Sequence, residues 1–363
     1  MILMGDRGIS DGYRHMHGYS GHTFKLINKA GEWVYAQLHM RSKQGFKFLT
    51  QADAASKSPD YAGKDLFDAI ERGEYPGWDL LVQAMTPKQA EEAWEKQGIN
   101  VLDLTHIWPQ GQFPFRKVGE FFLNENVKNY FGETEQIAFA PSHLIAGIEP
   151  SADPVLQSRL FSYPDYQRYR LGVNYPQLPI NSTSCPYAIG NFQRDGHMAI
   201  LNQGSRPAYL SSIEPISFRP RAINIDKTHA SFIGQAITFL SEMRQEDFNA
   251  PRTLWEKVFD DGAKERFVDN VSGHMANCSN TEVIKRQIGI FREVSEDLAS
   301  RLEKATGIEG YREISALSLN GRHNGLVKDT KLRVANGMVG YTGASSKSNR
   351  GPAKETHAEV SKD

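Results

Sequence analysis

Four side chains that could do chemistry together stand at regular spacing near the middle of the chain. In the stretch RLFSYPDYQRYRL they are Arg159, Tyr163, Gln167 and Arg170, at intervals of four, four and three residues. Residues at these intervals share one face of an α-helix. The spacing therefore predicts a helix over 154–171 with one polar stripe. We expect a kink after Tyr163, because the ring of Pro164 clashes with the preceding turn.

The chemistry of this stripe depends on the phenol of Tyr163. A tyrosine hydroxyl ordinarily loses its proton near about pH 10, and a guanidinium one helical turn away favours the ionised form. A phenolate is a hard anionic oxygen donor that suits ferric iron. Two interpretations follow from the residues alone. Tyr163 is either a metal ligand kept ionised by Arg159, or an interfacial tyrosine whose hydroxyl is simply hydrogen-bonded.

Composition bounds the class of protein. The chain has 363 residues, enough for a large core and about two or three domains. A formal net charge of −1 gives no electrostatic argument for nucleic acid or a membrane surface. No apolar run reaches the length of a membrane span, and the first residues, MILMGDRGISDGYRH, do not form a signal peptide. Cys185 and Cys278 indicate thiols in a reducing compartment, since two cysteines cannot make a disulfide framework or a zinc site.

The pattern of the first 125 residues predicts an α+β fold. HTFKLINKAGEWVYAQLHMRS contains two β-type runs around a glycine-containing turn, which is typical of a hairpin. GWDLLVQAM and VGEFFLNEN are further candidate strands. DLFDAIERG and PKQAEEAWEK are candidate helices between them. Residues 1–125 are therefore expected to form an antiparallel sheet with helical insertions.

The rest of the chain divides into three parts. Residues 126–230 contain few periodic elements apart from the helix above, which indicates a long segment that wraps over another domain or subunit. Residues 231–338 have helical patterning, and residues 339–363 are polar and predicted to be disordered. One apolar stripe in the helical part consists of Ile284, Ile288, Phe291, Val294, Leu298 and Leu302.

Several motifs resemble one known family. RLFSYPD, followed by RYRLG and NYPQLPIN, resembles the proximal haem-binding signature of the monofunctional haem catalases. Five other stretches resemble the family in the family's order: MGDRGISDGYRHMHGYSGHTFKLIN, DLTHIWPQG, VGEFFLNENVKNYF, EQIAFAPSHLIAGIEPSADPVLQ and NFQRDGHM. Together they cover roughly residues 1–220. The resemblance implies an incomplete antiparallel β-barrel of the catalase type, a long wrapping segment and a C-terminal helical domain.

The resemblance also implies roles for residues around the haem iron. Tyr163 resembles the axial ligand, a role that tyrosine has in catalases. Arg159 resembles the partner that keeps this ligand ionised, and His22 and Asp153 resemble further members of a proximal relay, Asp153–His22–Arg159. Taken singly, His22 is more simply a buried histidine of the core, and Asp153 a helix N-cap.

Three more residues are implied to contact the haem. Phe139 resembles a haem-facing aromatic, although a core residue is its simplest interpretation. Arg170 resembles a partner of a haem propionate through a charge-assisted hydrogen bond. Gln167 stands where many members of the family have histidine and others have glutamine.

A second site is implied for NADPH, which some members of the family bind on the outer face of the barrel. The residues at matching positions are Arg7, His17, His39, Arg41, Ile107, Trp108 and Gln110. Arg7 and Arg41 suit phosphates, and His39 suits the 2′-phosphate or the adenine edge. Gln110 replaces a histidine of the NADPH binders, and Arg41 replaces their usual lysine. The alternative is a solvated basic face.

By resemblance, the reaction is the disproportionation of hydrogen peroxide to water and oxygen, in a homotetramer. The location implied is the cytoplasm or the peroxisome, although the C-terminal SKD is no clear peroxisomal address. The distal histidine and asparagine of the family would precede Met1, so we expect these 363 residues alone to be inactive. We favour a gene model that begins at an internal methionine over a degenerate paralogue or a fragment completed by another chain.

Two other functions are compatible with the residues. The first is a non-catalytic haem-binding or subunit-interaction protein derived from a catalase. The second is an NADPH-dependent reductase, which would use the nucleotide-site residues but for which no hydride acceptor or catalytic acid is identified.

Overall fold

A computed structural model describes residues 1–182, 227–238 and 245–312, and the backbone of 332–335 and 338–341. The fold is α+β, as predicted. One antiparallel sheet, curled into a half-barrel, contains β1 Gly18–Tyr19, β2 Phe24–Ile27, β3 Trp33–Ser42, β4 Gly77–Met85, β5 Arg116–Phe122 and β6 Ile148–Pro150. The strand order is β5-β4-β3-β2-β6, and β1 pairs with β3.

The predicted hairpin forms β2 and β3. Its turn is closed by the side chain of Asn28, whose Oδ1 accepts from the backbone N–H groups of Ala30 and Glu32. Gly31 adopts a φ of 86°, which glycine tolerates and a residue with a Cβ rarely does. The β3–β4 ladder runs from Tyr35↔Met85 to Ser42↔Trp78 and forms the centre of the sheet.

The last strand of the sheet comes from a part of the chain where the sequence predicts a wrapping segment. β6 pairs with β2 through Leu26↔Ile148 and Phe24↔Pro150. This pairing extends the sheet beyond the predicted 1–125 region. It also brings the residues just before β2 beside the start of the next helix, where the candidate site lies.

The helices lie between the strands and after them. Their bounds are α1 Gln51–Ser56, α2 Tyr61–Glu71, α3 Pro87–Gln97, α4 Pro154–Leu171, α5 Lys227–Thr238, α6 Asn249–Thr253, α7 Asp261–Met275, α8 Thr281–Val294 and α9 Glu296–Thr306. A π-helical turn, Phe131–Glu135, precedes β6. The predicted helix over 154–171 is present as α4, and it continues through Pro164 without interruption.

Two clusters of buried side chains form the core. The cluster on the sheet includes Tyr35, Met85, Leu102, Trp108 and Phe113, together with Phe232 and Ala236 of α5. The helical cluster includes Trp255, Phe267, Ile288, Leu298 and Leu302. Helix α5 crosses the predicted boundary at residue 230 and packs on the sheet, so the helical unit proper starts after it.

The apolar stripe predicted between 284 and 302 lies on two helices. α8 ends at Val294 and α9 begins at Glu296, and Ser295 between them has an extended backbone with φ −162° and ψ 136°. Both helices still bury their stripe residues in the helical cluster. The spacing of the apolar residues does not reveal this break, because only one residue, Ser295, separates the two helices.

The first residues contact the helical unit. Asp6 accepts two hydrogen bonds from Arg266 of α7, at 2.8 and 2.7 Å. Residues 332–335 and 338–341 form a two-stranded hairpin, so 339–341 of the predicted disordered tail are in a strand, and the rest of the tail lies outside the described residues. Within the described ranges, no helix is both long enough and apolar enough to cross a bilayer.

Candidate active site

Helix α4 is positioned by its first residues. Oδ1 of Asp153 accepts from the backbone N–H groups of Val155 and Leu156, at 2.8 and 3.1 Å, which makes Asp153 the N-cap. Pro154 occupies the first helical position, where a missing N–H costs nothing. The cap uses one carboxylate oxygen and leaves Oδ2 for another partner. Asp153 is only 1% exposed, so this oxygen also needs a hydrogen-bond donor.

A chain of hydrogen bonds runs from this carboxylate to the phenol of Tyr163. Nδ1 of His22 is 2.6 Å from Oδ2 of Asp153, and Nη1 of Arg159 is 2.7 Å from Nε2 of His22. Nη2 of Arg159 donates to the Tyr163 hydroxyl at 2.7 Å. Because a guanidinium only donates, His22 must accept at Nε2 and carry its proton on Nδ1, facing Asp153. The buried carboxylate therefore fixes the tautomer of the histidine, which in turn orients the arginine.

The Tyr163 hydroxyl lies beside a positive charge. The Arg159 guanidinium donates to it and lies 4.8 Å from the ring centroid of the same tyrosine. The guanidinium is therefore held against both the oxygen and the ring face of Tyr163. The tyrosine as a whole is half-buried.

The second half of the stripe binds a different part of the chain. Nε and Nη2 of Arg170 donate to Oε1 of the buried Gln167, at 2.9 and 2.6 Å. Arg170 also donates to the carbonyls of Glu135 and Ile137, at 2.5 and 2.6 Å. Nε2 of Gln167 donates to the Phe139 carbonyl at 3.4 Å. The stripe thus consists of two pairs. Arg159 binds the phenol of Tyr163, and Gln167 and Arg170 together bind segment 135–139.

One residue beside the site has no counterpart among the predicted ones. Oδ1 of Asn181 accepts from the backbone N–H of Ala138, and its Nδ2 donates to the carbonyl of Gln136, both at 2.8 Å. Asn181 lies 45 residues from Gln136 along the chain, so no local spacing indicates the contact. Asn181 is the last residue of the family motif NYPQLPIN, and this motif is the one feature of the sequence that could have indicated it.

The face of α4 that presents Tyr163 is exposed and partly apolar. Val155 and Tyr166, two turns before and one turn after Tyr163, are 46% and 58% exposed, and the nearby Phe139 is 72% exposed. Contiguous apolar surface of this kind on a folded chain usually marks a contact site. Exposed apolar groups beside an oxygen donor match the chemistry of a flat apolar macrocycle whose ferric iron takes an oxygen ligand. The residues present therefore fit a haem.

The nucleotide candidates on β3 also cluster. The ring of His39 packs edge-on against Tyr19 and Phe115, with centroids 5.0 and 4.6 Å away. Burial, and then the charge of Arg41, lower the pKa of His39 to about 4. Burial, and then the charges of Arg41 and Arg7, lower the pKa of His17. Four of the seven candidates are therefore close enough to influence one another.

The charges of this cluster are free for a ligand within the described part of the chain. There, neither Arg7 nor Arg41 forms an ion pair, and Arg41 lies over the ring of Phe115 at 5.5 Å. Ile107 and Gln110 are exposed. Trp108 is 1% exposed, belongs to the sheet core and has its carbonyl bound by Gln83, so the structure does not place it at the surface with the other candidates.

Comparison with protein families gives two matches in order along the chain. A family model described as Catalase matches residues 1–215, and one described as Catalase-related immune-responsive matches residues 241–306. The catalase of Schizosaccharomyces pombe is 44% identical over 319 residues, 85% of this chain and 60% of that protein. The peroxisomal catalase of Candida albicans is 43% identical over 309 residues, 84% of this chain and 62% of that protein.

Solved structures are similar as well. A fungal catalase crystal structure is 40% identical with a TM-score of 0.72, covering 84% of this chain and 62% of that one. Catalase A from Saccharomyces cerevisiae is 38% identical with a TM-score of 0.69, covering 84% of this chain and 63% of that one. The chain spans about three fifths of the length of the curated relatives it matches. The matched motifs, the sheet and the matched length together show that this chain belongs to the catalase family.

Proposed function

We propose that this chain holds the proximal side of a catalase haem, with Tyr163 as the axial ligand of the iron. The hydrogen-bond chain from Asp153 through His22 and Arg159 to Tyr163 carries the proposal. A hydroxyl that needed only a hydrogen bond would not require a buried carboxylate behind its partner. An oxygen that binds iron does require such a carboxylate, because the carboxylate and the histidine together hold the guanidinium in place beside it.

The reaction proposed for the complete protein is the disproportionation of hydrogen peroxide to water and oxygen, as part of the response to oxidative stress. Bound haem would supply the redox-active iron for this chemistry. Arg159 donates to the Tyr163 oxygen at 2.7 Å and so holds a positive charge beside the atom that would bind the iron. Phe139 and Val155 provide apolar surface for the macrocycle. Within the described part of the chain, Arg170 uses four of its five N–H groups, which leaves one N–H of Nη1 for a haem propionate.

Titration of the purified protein with haemin tests the ligand. We expect a Soret band, together with resonance Raman modes of an iron-bound phenolate, in the wild type. Tyr163→Phe should lose the phenolate modes, whereas Tyr166→Phe, one turn further on the same helix, should keep them. Phenolate modes that persist in Tyr163→Phe would overturn the assignment.

We also propose that the 363 residues expressed alone turn over peroxide far more slowly than a complete catalase. The family's catalysis needs a distal histidine and asparagine, and none of the eleven histidines here stands in a stretch that resembles the distal motif. Oxygen release per bound haem measures this directly. A rate typical of the family would contradict the prediction.

A second candidate function is a non-catalytic haem-binding or subunit-interaction protein. The face of α4 opposite Tyr163 favours it, since Phe161 and Tyr169 are 76% and 92% exposed. Exposed aromatic rings are common at the centre of protein interfaces. The homotetramer of the family is the assembly we propose. Sedimentation of the haem-loaded protein, with oxygen release measured on the same sample, separates an assembling enzyme from an assembling binder.

NADPH is proposed as a second ligand, on the β3 cluster. Two guanidinium groups without ion pairs in the described part of the chain suit its phosphates. For location we propose the peroxisome or the cytoplasm, and relatives named peroxisomal catalases support the first. A fluorescent fusion imaged beside a peroxisomal marker distinguishes the two compartments.

A further inference from the structure

Segment 135–139 is held in place by side chains on one of its edges. The residues 137–139 belong to no helix or strand, yet alternate carbonyls of the segment are bound from α4. Arg170 donates to the carbonyls of Glu135 and Ile137, at 2.5 and 2.6 Å. Gln167 donates to the carbonyl of Phe139 at 3.4 Å. The two side chains also bind each other, so they act as a single unit.

The other edge of the segment is held by one amide. Asn181 donates to the carbonyl of Gln136 and accepts from the N–H of Ala138, both at 2.8 Å. Its second N–H donates to the carbonyl of Tyr175 at 3.1 Å, which anchors the amide on the short helix after α4. Both donors and the acceptor of this side chain are therefore engaged. Asn181 supplies the contacts that a neighbouring strand would supply in a sheet.

The ring that this arrangement carries is not held by packing. Phe139 is 72% exposed, so apolar contacts do not determine where its side chain lies. Its backbone carbonyl and the N–H of Ala138 before it are both fixed. An exposed aromatic ring on a fixed backbone is preorganised for a flat partner, because the cost of ordering the segment is met before binding.

We propose that Asn181, Gln167 and Arg170 form a clamp on segment 135–139 that orients Phe139 against the haem, with Asn181 as a positioning residue. The orientation part rests on the proposed function, since it requires a haem at Tyr163. The clamp itself does not, since its hydrogen bonds exist in the protein without a ligand. The clamp and the orientation of Phe139 can therefore be tested separately.

Hydrogen exchange tests the clamp in the ligand-free protein. Asn181→Ala should speed exchange of the backbone amide of Ala138 by about tenfold, the effect expected from the loss of its partly buried hydrogen bond. Ser182→Ala is the matched control, because among the described residues its hydroxyl contacts only the carbonyl of Pro179. Unchanged exchange in Asn181→Ala would overturn the clamp. Asn181→Asp is the second variant: it keeps the acceptor for Ala138 but sets a carboxylate against two carbonyls, so it should also speed exchange.

A double-mutant cycle tests the positioning role. Asn181→Ala should weaken haemin binding by about tenfold in the wild-type background and not at all in Phe139→Ala, because it acts through that ring. Equal losses in both backgrounds would mean general destabilisation and would overturn the positioning role. If the wild type takes up no haemin, the proposed function fails, and the exchange experiment still decides the clamp.

Discussion

Arg159 donates to the Tyr163 hydroxyl at 2.7 Å and lies 4.8 Å from the ring of the same residue. One helical turn separates the two side chains, so the helix alone brings them together. The other terminal nitrogen of the guanidinium, Nη1, donates to Nε2 of His22 at 2.7 Å. The arginine is therefore fixed from behind and delivers its charge to a single oxygen.

Removing the Arg159 charge should weaken iron ligation by Tyr163. We expect Arg159→Gln to bind haemin about tenfold more weakly, and Arg159→Lys to fall between, because lysine keeps the charge but cannot reach both His22 and Tyr163 as a planar fork does. Haemin titration and the phenolate Raman modes report the effect. Arg168→Gln, an exposed position of the same helix, is the control. Equal losses in Arg159→Gln and Arg168→Gln would refute the prediction.

Two substitutions at Asp153 separate its charge from its capping role. Asp153→Asn keeps an oxygen for the N–H groups of Val155 and Leu156 but loses the charge that faces His22, which should lower the free energy of unfolding by about 1.5–3 kcal/mol. Asp153→Ala should lose about 1 kcal/mol more, because the cap is lost as well. Urea unfolding measures both, with Asp165→Asn on the exposed side of α4 as control. Full wild-type stability in Asp153→Asn would show that the charge does not matter.

The buried contact between Tyr35 and His229 should make the fold sensitive to alkali. Nδ1 of His229 lies 2.8 Å from the Glu91 carboxylate, so its Nε2 accepts from the Tyr35 hydroxyl, also at 2.8 Å. Burial, and then the charge of Glu91, raise the pKa of Tyr35 well above its ordinary value. The folded state thus keeps a proton that the unfolded state loses above about pH 10, so stability falls as the pH rises past that value.

The Tyr35→Phe variant tests this slope. It removes the ionisable group, so its free energy of unfolding should fall less steeply than that of the wild type between about pH 9 and about pH 11. Tyr13→Phe, at an exposed position, should keep the wild-type slope. Identical slopes in Tyr35→Phe and the wild type would contradict the prediction.

Arg41 and His39 of the β3 cluster should contribute differently to the salt dependence of NADPH binding. With a pKa of about 4, His39 is neutral near about pH 7 and can offer a hydrogen bond but no charge. We expect Arg41→Ala to weaken NADPH binding by about tenfold and to reduce its salt dependence. His39→Gln should weaken binding without changing the salt dependence. NADPH fluorescence at two ionic strengths measures both.

Arg116→Ala is the control for this prediction, since it removes an exposed positive charge from β5 of the same sheet, and Arg116 is not one of the nucleotide candidates. If Arg116→Ala and Arg41→Ala had the same effect, binding would depend on overall charge and not on a site. An Arg41→Ala variant with wild-type affinity would remove the case for NADPH on this face.

Short-range patterns of the sequence determined the elements that carry the site. The four-residue spacing from Arg159 to Gln167 and the Asp153–Pro154 start place α4 at the predicted residues, because periodicity and caps act within one or two turns. The alternating runs around Asn28 likewise predict the β2–β3 hairpin. The family motifs named His22 and Asp153 as partners of Arg159, although nothing in their spacing does so.

Only the tertiary structure decided which of these elements meet. His22 and Asp153 are 131 residues apart, and they touch because β2 pairs with β6 through Phe24↔Pro150, just after the first and just before the second. The clamp by Asn181 and the packing of α5 on the sheet also join distant parts of the chain. Such contacts depend on strand register and on burial summed over many residues, and neither quantity is encoded in a local pattern.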